Sequence, residues 1–191
     1  EIIFNQPASI EELTLFHDVD YLEALKKAEV LQNLSDLEKK KFKIGVGVNP
    51  IFKEVFSRPA AAAKSSMTAI EFLAKNKANK ILNFSGGTHH GRQSFASGFC
   101  FLNDCILAIL KAKELNFKNI LYIDIDAHHC DAVQDHFEND NSVNLISLHE
   151  QNKWPRTGKV NESNIVNIMN IPVPQNFNDN EMSFVVDKLI L

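Results

Sequence analysis

The sequence has little cysteine, glycine or proline, and no long apolar segment. Its 191 residues include three cysteines, seven glycines and six prolines. Cys100, Cys105 and Cys130 form no C-x-x-C pair, which argues against a disulfide framework or a thiolate zinc site and favours a reducing, cytoplasmic setting. No apolar run approaches the roughly 18 residues of a transmembrane helix, and the N-terminus lacks the features of a signal peptide. The sequence therefore predicts no membrane segment.

The sequence also has no excess of positive charge. Lysine and arginine total 20 against 24 aspartates and glutamates, for a net charge of −4. No basic surface therefore supports direct binding of nucleic acid. With 45% hydrophobic and 23% charged residues, the composition is typical of a soluble globular protein, and the length suits one domain.

Both ends of the chain look cut. The sequence begins at Glu1 rather than at a methionine, and residues 181–191 read as a helix that stops without a cap. We therefore expect a single partial domain over residues 1–191.

Strands and helices alternate along most of the chain. Capping boxes at Ser9–Glu12 and Asp20–Glu23 predict two short helices, and Ser57-Arg-Pro begins a long helix that runs to about Lys75. The segments that follow are predicted as strand 80–84, helix 102–115, strand 119–126, helix 131–137, and strands 142–148 and 165–171. This order indicates an α/β fold with a largely parallel sheet, in which ligands bind at the carboxyl ends of the strands.

The strongest motif is Asp124-Ile-Asp126-Ala-His128-His129-Cys-Asp131, after an apolar strand. Side chains two residues apart share one face of a strand, so Asp124, Asp126 and His128 are expected to converge. Two carboxylates there would repel each other without a cation. Carboxylates and an imidazole at this spacing suit a divalent metal ion.

The segment Ser85-Gly-Gly-Thr-His89-His90-Gly91 follows the predicted strand at 80–84. Its glycines allow a tight backbone approach, which would place adjacent imidazoles at the rim of a site. One histidine could act as a general base beside the other. Two further segments are weaker on their own: Ser97-Gly-Phe-Cys-Phe-Leu-Asn-Asp104, and Ser147-Leu-His149-Glu150 with Trp154 beyond it.

Taken together and in this order, the motifs G-G-x-H-H, G-F-C-x-x-N-D, D-x-D-x-H-H and S-L-H closely resemble the histone deacetylase and acetoin utilisation protein superfamily. The resemblance runs from about Leu15 to Gly158. It implies a three-layer arginase/deacetylase-like α/β fold whose C-terminal portion is missing here. It also implies zinc-dependent hydrolysis of an acetyl-amide, in acetyl-lysine or a small acetylated amine such as a polyamine, with release of acetate.

The resemblance assigns roles by position. Asp126 and His128 match two of the three zinc ligands, and His89 and His90 match the histidines that activate water, with His90 favoured as the base. The carboxylates paired with these histidines correspond to Asp124 and Asp131. The remaining matches are Gly98, Phe99 and Trp154 in the wall of an acyl-lysine tunnel, and Asp124, Asp126, His128, Ser147 and Leu148 in a potassium site.

Four features depart from the family pattern. No residue after Gly158 resembles the third zinc ligand, an aspartate, and neither Tyr21 nor Tyr122 matches the oxyanion-stabilising tyrosine. The usual H-H-G-D-G appears as residues 128–132 with Cys130 and an alanine in place of glycines, so Cys130 either affects redox or metal behaviour or is an ordinary buried thiol. Asn49 stands where the family has a rim aspartate.

Two alternatives stay open. The arginase and agmatinase family shares the fold and a D-A-H motif, but its next carboxylate position is Cys130 here. A non-catalytic module that binds acyl-lysine or a metabolite is the other, since one zinc ligand and the tyrosine have no match.

Overall fold

The computed structural model describes residues 2–160 and 167–190. It contains two compact units, Glu1–Ile120 and Leu121–Leu191. The first is helical among its described residues, and the second carries a sheet.

Five helices form the first unit: α1 (Ile10–Leu13), α2 (Val19–Leu31), α3 (Asp36–Phe42), α4 (Ser57–Ala74) and α5 (Asp104–Glu114). The capping box predicted at Ser9–Glu12 is present. The one predicted at Asp20–Glu23 is wrong, because α2 already begins at Val19 and Asp20 lies inside its first turn. There Asp20 binds the Lys41 ammonium instead.

The long helix predicted from Ser57 is confirmed as α4, and the helix predicted at 102–115 as α5. These two helices pack against each other. The α4 face toward the interior carries alanines and Met67, whose small or flexible side chains permit close packing. Ile106 and Leu107 of α5 are fully buried. Helix α5 is thus a firmly packed element.

The strand predicted at 80–84 is wrong. No regular structure forms there, and Leu82 and Phe84 are 81% and 94% exposed. A strand needs a neighbour to satisfy its backbone groups, and none pairs with this segment in the described part of the chain. The side chain of Asn83 holds the segment instead, by donating to the Ala62 carbonyl and the Ser66 hydroxyl of α4.

The second unit is built around a three-stranded sheet in the order β1-β2-β3. Its elements are β1 (Ile120–Asp124), α6 (Asp131–Phe137), β2 (Val143–Glu150), β3 (Ile168–Val173), α7 (Asp179–Val185) and a π-helical turn, Val186–Ile190. Strands β2 and β3 are parallel, with Leu148 opposite Ile171. Of the strand predicted at 165–171, residues 165 and 166 lie outside the described residues.

The sheet is apolar on both sides but not covered on both sides. Leu148, Val173 and Val185 form a buried cluster between the sheet and α7. In β1 and just beyond it, Leu121, Ile123 and Ile125 are 57%, 44% and 65% exposed. One side of this apolar strand is therefore exposed in the described residues. Within the described residues, no helix combines the length and apolarity needed to span a membrane.

Candidate active site

Each unit contributes one part of the predicted site. His89, His90, Gly98 and Phe99 belong to the first unit, and the remaining predicted residues, Asp124, Asp126, His128, Asp131, Ser147, Leu148 and Trp154, belong to the second.

His89 and His90 form a buried, contacting pair. Each is 4% exposed, and their ring centroids lie 4.0 Å apart. The two Nε2 atoms are separated by 3.0 Å. A hydrogen bond between two such nitrogens requires a proton on one of them, so the pair is arranged to hold a proton between its rings. The structure thus brings together the two residues that the sequence predicted to act as a pair.

The backbone around this pair is fastened to the start of α5. The Asn103 side chain donates from Nδ2 to the carbonyl oxygens of His89 and Gly91, both at 3.0 Å. A Cβ at Gly91 would lie 3.0 Å from the Leu102 carbonyl carbon, so glycine permits this approach. The sequence predicted no role for Asn103. Only its N-cap role had a local signal, since an asparagine before a helix is a preferred N-cap.

Phe99, the predicted tunnel residue, has an unusual backbone. Its φ is +64° and follows Gly98 at +54°, a left-handed region that costs a residue with a Cβ about 1–2 kcal/mol. The Phe99 N–H donates to Oδ1 of Asn49 at 3.0 Å, and the Asn49 amide donates to Lys43 and Ala96 carbonyls. The phenyl ring is left 66% exposed. Asn49, which the sequence marked only as a departure from the family, therefore supports this conformation.

In the second unit, Asp124, Asp126 and His128 lie at the carboxyl end of β1. Asp124 is 7% exposed, and its carboxylate accepts from the Tyr122 hydroxyl at 2.5 Å and from the Asp126 N–H at 2.9 Å. The strand ends at Asp124, so a turn rather than strand alternation brings the next two side chains together.

Asp126 and His128 converge at the exposed side of this turn. Oδ1 of Asp126 lies 2.9 Å from Nδ1 of His128 and also accepts the His128 N–H at 2.7 Å. One anionic oxygen and one imidazole nitrogen are ligands that zinc accepts. No cluster of three or more metal-binding side chains occurs among the described residues. The pair therefore fits two positions of a zinc site and leaves the others unassigned.

Trp154 lies beside this pair. Its ring centroid is 6.1 Å from that of His128 in an edge arrangement, and the side chain is 45% exposed. A predicted metal ligand and a predicted tunnel residue are thus neighbours within the second unit.

Asp131 and Cys130 follow the metal motif at the start of α6. Asp131 is 6% exposed and its N–H donates to the His129 carbonyl at 2.8 Å. Cys130 is fully buried, and burial together with the nearby Asp124 carboxylate raises the pKa of its thiol. Because the thiolate is the reactive form, this favours the interpretation of Cys130 as a buried structural thiol. The pairing of Asp124 and Asp131 with the two histidines stays a prediction.

Ser147 and Leu148, the predicted potassium ligands on β2, are buried beside β1. The Ser147 hydroxyl lies 2.9 Å from Nδ1 of His149, whose Nε2 is 3.0 Å from the Gly158 carbonyl oxygen. Since Nε2–H must donate to that carbonyl, a neutral His149 accepts the serine proton at Nδ1. The hydroxyl oxygen of Ser147 thus keeps its lone pairs for another partner, and the cation site itself stays a prediction.

A second histidine, His129, packs against His149 with ring centroids 4.8 Å apart. It contacts Thr157 at 2.8 Å and Gln134 at 2.9 Å. Burial is the main cause that lowers the pKa of both histidines. The sequence did not predict this network, because its members are separated along the chain.

The chain belongs to the histone deacetylase family. The family model described as "Histone deacetylase domain" matches residues 1–191. This confirms the resemblance drawn from the motifs, and it places the chain in a deacetylase hydrolase family.

Individual relatives support the assignment. The chain is 38% identical over 157 residues to histone deacetylase 8 of Xenopus tropicalis, covering 81% of this chain and 42% of the relative. It is 34% identical over 164 residues to histone deacetylase 1 of Homo sapiens, covering 85% of this chain and 34% of the relative. The chain thus spans less than half the length of these relatives.

Solved structures show the fold. The crystal structure of an HDAC homolog from Aquifex aeolicus matches with a TM-score of 0.91 and 37% identity, over 98% of this chain and 52% of that one. An HDAC homolog complexed with SAHA matches with a TM-score of 0.92 and 37% identity, over all of this chain and 52% of the other. The predicted deacetylase-like α/β fold is therefore confirmed.

Proposed function

We propose that this chain supplies metal-binding and proton-transfer residues of a zinc-dependent deacetylase. The reaction is hydrolysis of the acetyl-amide of an acetylated lysine or a small acetylated amine, giving a free amine and acetate. The observation that carries the proposal is the buried His89–His90 pair, with 3.0 Å between its Nε2 atoms. Amide hydrolysis needs a proton taken from water and returned to the leaving nitrogen, and paired imidazoles suit that exchange.

Asp126 and His128 would hold the zinc ion, because their carboxylate and imidazole already converge within 2.9 Å. When bound, zinc polarises the acetyl carbonyl and lowers the pKa of the attacking water. The other ligand positions and the stabilisation of the oxyanion lie with groups not identified in this chain.

His90 is proposed as the base that takes the proton from water, with His89 as its hydrogen-bonded partner. A protonated imidazole beside a neutral one is stabilised by the shared hydrogen bond. Asp124 and Asp131 are proposed to fix the orientation of the histidine rings, as carboxylates do for metal-bound or catalytic histidines. Asp124, Ser147 and Leu148 are proposed to bind potassium.

Gly98, Phe99 and Trp154 are proposed to contact the substrate side chain. Phe99 and Trp154 are 66% and 45% exposed, so both aromatic side chains are accessible to a substrate. An acetylated lysine is uncharged and presents a flat amide on a long alkyl chain, so it can lie against aromatic faces without the cost of burying an ammonium group.

The experiment measures zinc content and hydrolysis of a fluorogenic acetyl-lysine peptide by the full-length protein. Wild-type protein should bind zinc and release acetate. Asp126→Ala should lose zinc and activity together, whereas His90→Ala should keep zinc and lose about 10²- to 10⁴-fold in kcat. His136→Ala, an exposed imidazole on α6, is the matched control and should behave as wild type.

Two results would oppose the proposal. Zinc-loaded protein that hydrolyses neither acetyl-lysine peptides nor acetylated polyamines would favour a non-catalytic binding module. If His90→Ala turned over at the wild-type rate, His90 would be excluded as the base.

A further inference from the structure

Residues at the start of α5 form hydrogen bonds with the backbone before and after the histidine pair in the sequence. The Asn103 side chain donates to the carbonyl oxygens of His89 and Gly91. On the other side of the pair, Oδ1 of Asp104 accepts the N–H of Gly87 at 2.9 Å and that of Thr88 at 2.8 Å. Two consecutive residues, Asn103 and Asp104, therefore bracket the histidines, and we call them the α5 clamp.

Asp104 is a buried carboxylate whose hydrogen-bond donors come largely from residues 87–91, which we call the histidine loop. It is 3% exposed. Besides the two backbone N–H groups, it accepts the Thr88 hydroxyl at 2.6 Å and the Ser66 hydroxyl, also at 2.6 Å. A buried carboxylate without such donors is strongly unfavourable. The conformation of the loop and the burial of the charge are therefore coupled, because Gly87 and Thr88 of the loop donate hydrogen bonds to the buried carboxylate.

The glycine before Gly87 is explained by the same contact. A Cβ on Gly86 would lie 2.3 Å from Oδ2 of Asp104, a separation that real Cβ atoms do not adopt. The motif Gly86-Gly-Thr-His-His thus requires its first glycine so that the backbone can approach the carboxylate. The requirement comes from the α5 clamp and not from the imidazoles themselves.

The clamp is itself held by rigid elements. Oδ1 of Asn103 caps α5 by accepting the Ile106 N–H at 3.0 Å, and the Asn103 N–H donates to Nε2 of the buried His17 at 3.0 Å. Ser66 lies on α4, which packs against α5. Two packed helices, α4 and α5, therefore fix the position of the histidine backbone. It does not depend on the loop alone.

We propose that Asn103 and Asp104 are positioning residues that fix His89 and His90 for proton transfer. This rests on the proposed deacetylase function. Neither residue needs to touch the substrate, since both act through the backbone of the histidine loop. A displacement of about 1 Å in a catalytic group is enough to reduce turnover about 100-fold.

The test compares Asp104→Ala with Asp104→Asn in the full-length, zinc-loaded protein. Alanine removes every acceptor, and we expect kcat to fall about 100-fold with KM within about twofold. Asparagine keeps one carbonyl oxygen for the Gly87 and Thr88 N–H groups, so it should restore at least about tenfold of that loss. Zinc content should be unchanged in both variants.

Glu29→Ala is the matched control. The Glu29 carboxylate also accepts two backbone N–H groups and a hydroxyl, from Phe56 and Ser57 at the start of α4. These hydrogen bonds of Glu29 join α2 to the start of α4 and not to residues 87–91, so its loss should lower stability while kcat stays within about twofold. Equal losses of kcat in Asp104→Ala and Glu29→Ala would overturn the proposal, as would no rescue by asparagine.

Amide hydrogen exchange separates this inference from the proposed function. In Asp104→Ala the Gly87 and Thr88 amides should exchange at least about tenfold faster, while those of Phe56 and Ser57 keep the wild-type rate. If wild-type protein has no deacetylase activity, the proposed function fails and the exchange rates still decide whether the clamp holds the loop. Unchanged exchange at Thr88 would overturn the clamp, whatever the activity.

Discussion

Protonation of His17 provides the sharpest test of how the first unit is held together. The imidazole lies between α1 and α2 and is 2% exposed. Its Nε2 accepts the Asn103 N–H at 3.0 Å, and its Nδ1 is 3.2 Å from the Gln93 carbonyl oxygen. Because an N–H group can only donate, Nε2 must be unprotonated in the folded protein. The ring is therefore held as the neutral Nδ1–H tautomer.

Burial lowers the pKa of His17 from 6.5 to about 4, against a smaller opposing effect of the Gln93 and Arg92 backbone groups. As the pH falls below 6.5, the unfolded chain takes up a proton at this position that the folded chain does not. Stability is therefore fully present above pH 6.5 and is lost as the pH falls toward 4. Between pH 7 and pH 5 this difference in proton uptake is worth about 2 kcal/mol.

The assay is urea unfolding at pH 7 and pH 5, followed by circular dichroism. His17→Gln cannot titrate at this position, and its side chain still offers an oxygen near the Asn103 N–H. Between pH 7 and pH 5 the free energy of unfolding of this variant should therefore fall by about 2 kcal/mol less than that of the wild type. Burial also lowers the pKa of His129 and His149, and these act equally in both proteins. An identical loss in wild type and His17→Gln would refute the reasoning.

Two further substitutions test contacts that the sequence did not reveal. Gly158→Ala should destabilise the protein by about 2–4 kcal/mol in urea unfolding, because φ is +78° and the new Cβ would lie 2.5 Å from the His129 ring. Gly47→Ala is the control, because Gly47 has φ +56° and a Cβ there would meet nothing within 4 Å. It should lose only about 1 kcal/mol of stability, from the backbone conformation. Equal losses of stability in the two variants would argue against the contact with the His129 ring. Asn49→Ala should raise KM for an acetyl-lysine peptide about fivefold with little change in kcat, because Phe99 loses the acceptor that holds its backbone. A change confined to kcat would contradict that role.

Local signals in the sequence were enough to predict most of the regular elements. Two examples are the capping box at Ser9–Glu12 and the Ser57-Arg-Pro start of α4. Each depends only on neighbouring residues, so it can be recognised in the sequence without knowledge of the fold. Helix α6 was also predicted at its observed bounds. The strand predicted at 80–84 failed for the opposite reason, since a strand depends on a partner elsewhere in the chain.

The sequence by itself determined the family, because four short motifs occur in a fixed order, and it predicted that His89 pairs with His90 and Asp126 with His128. Tertiary structure decided what holds these pairs in place. The α5 clamp joins residues 12 to 17 positions apart. The contacts of Asn49 with Phe99 and of His17 with Asn103 span 50 and 86 positions. Asparagine and aspartate carry no local pattern that reveals such a partner, because a hydrogen bond to distant backbone leaves its mark only in three dimensions.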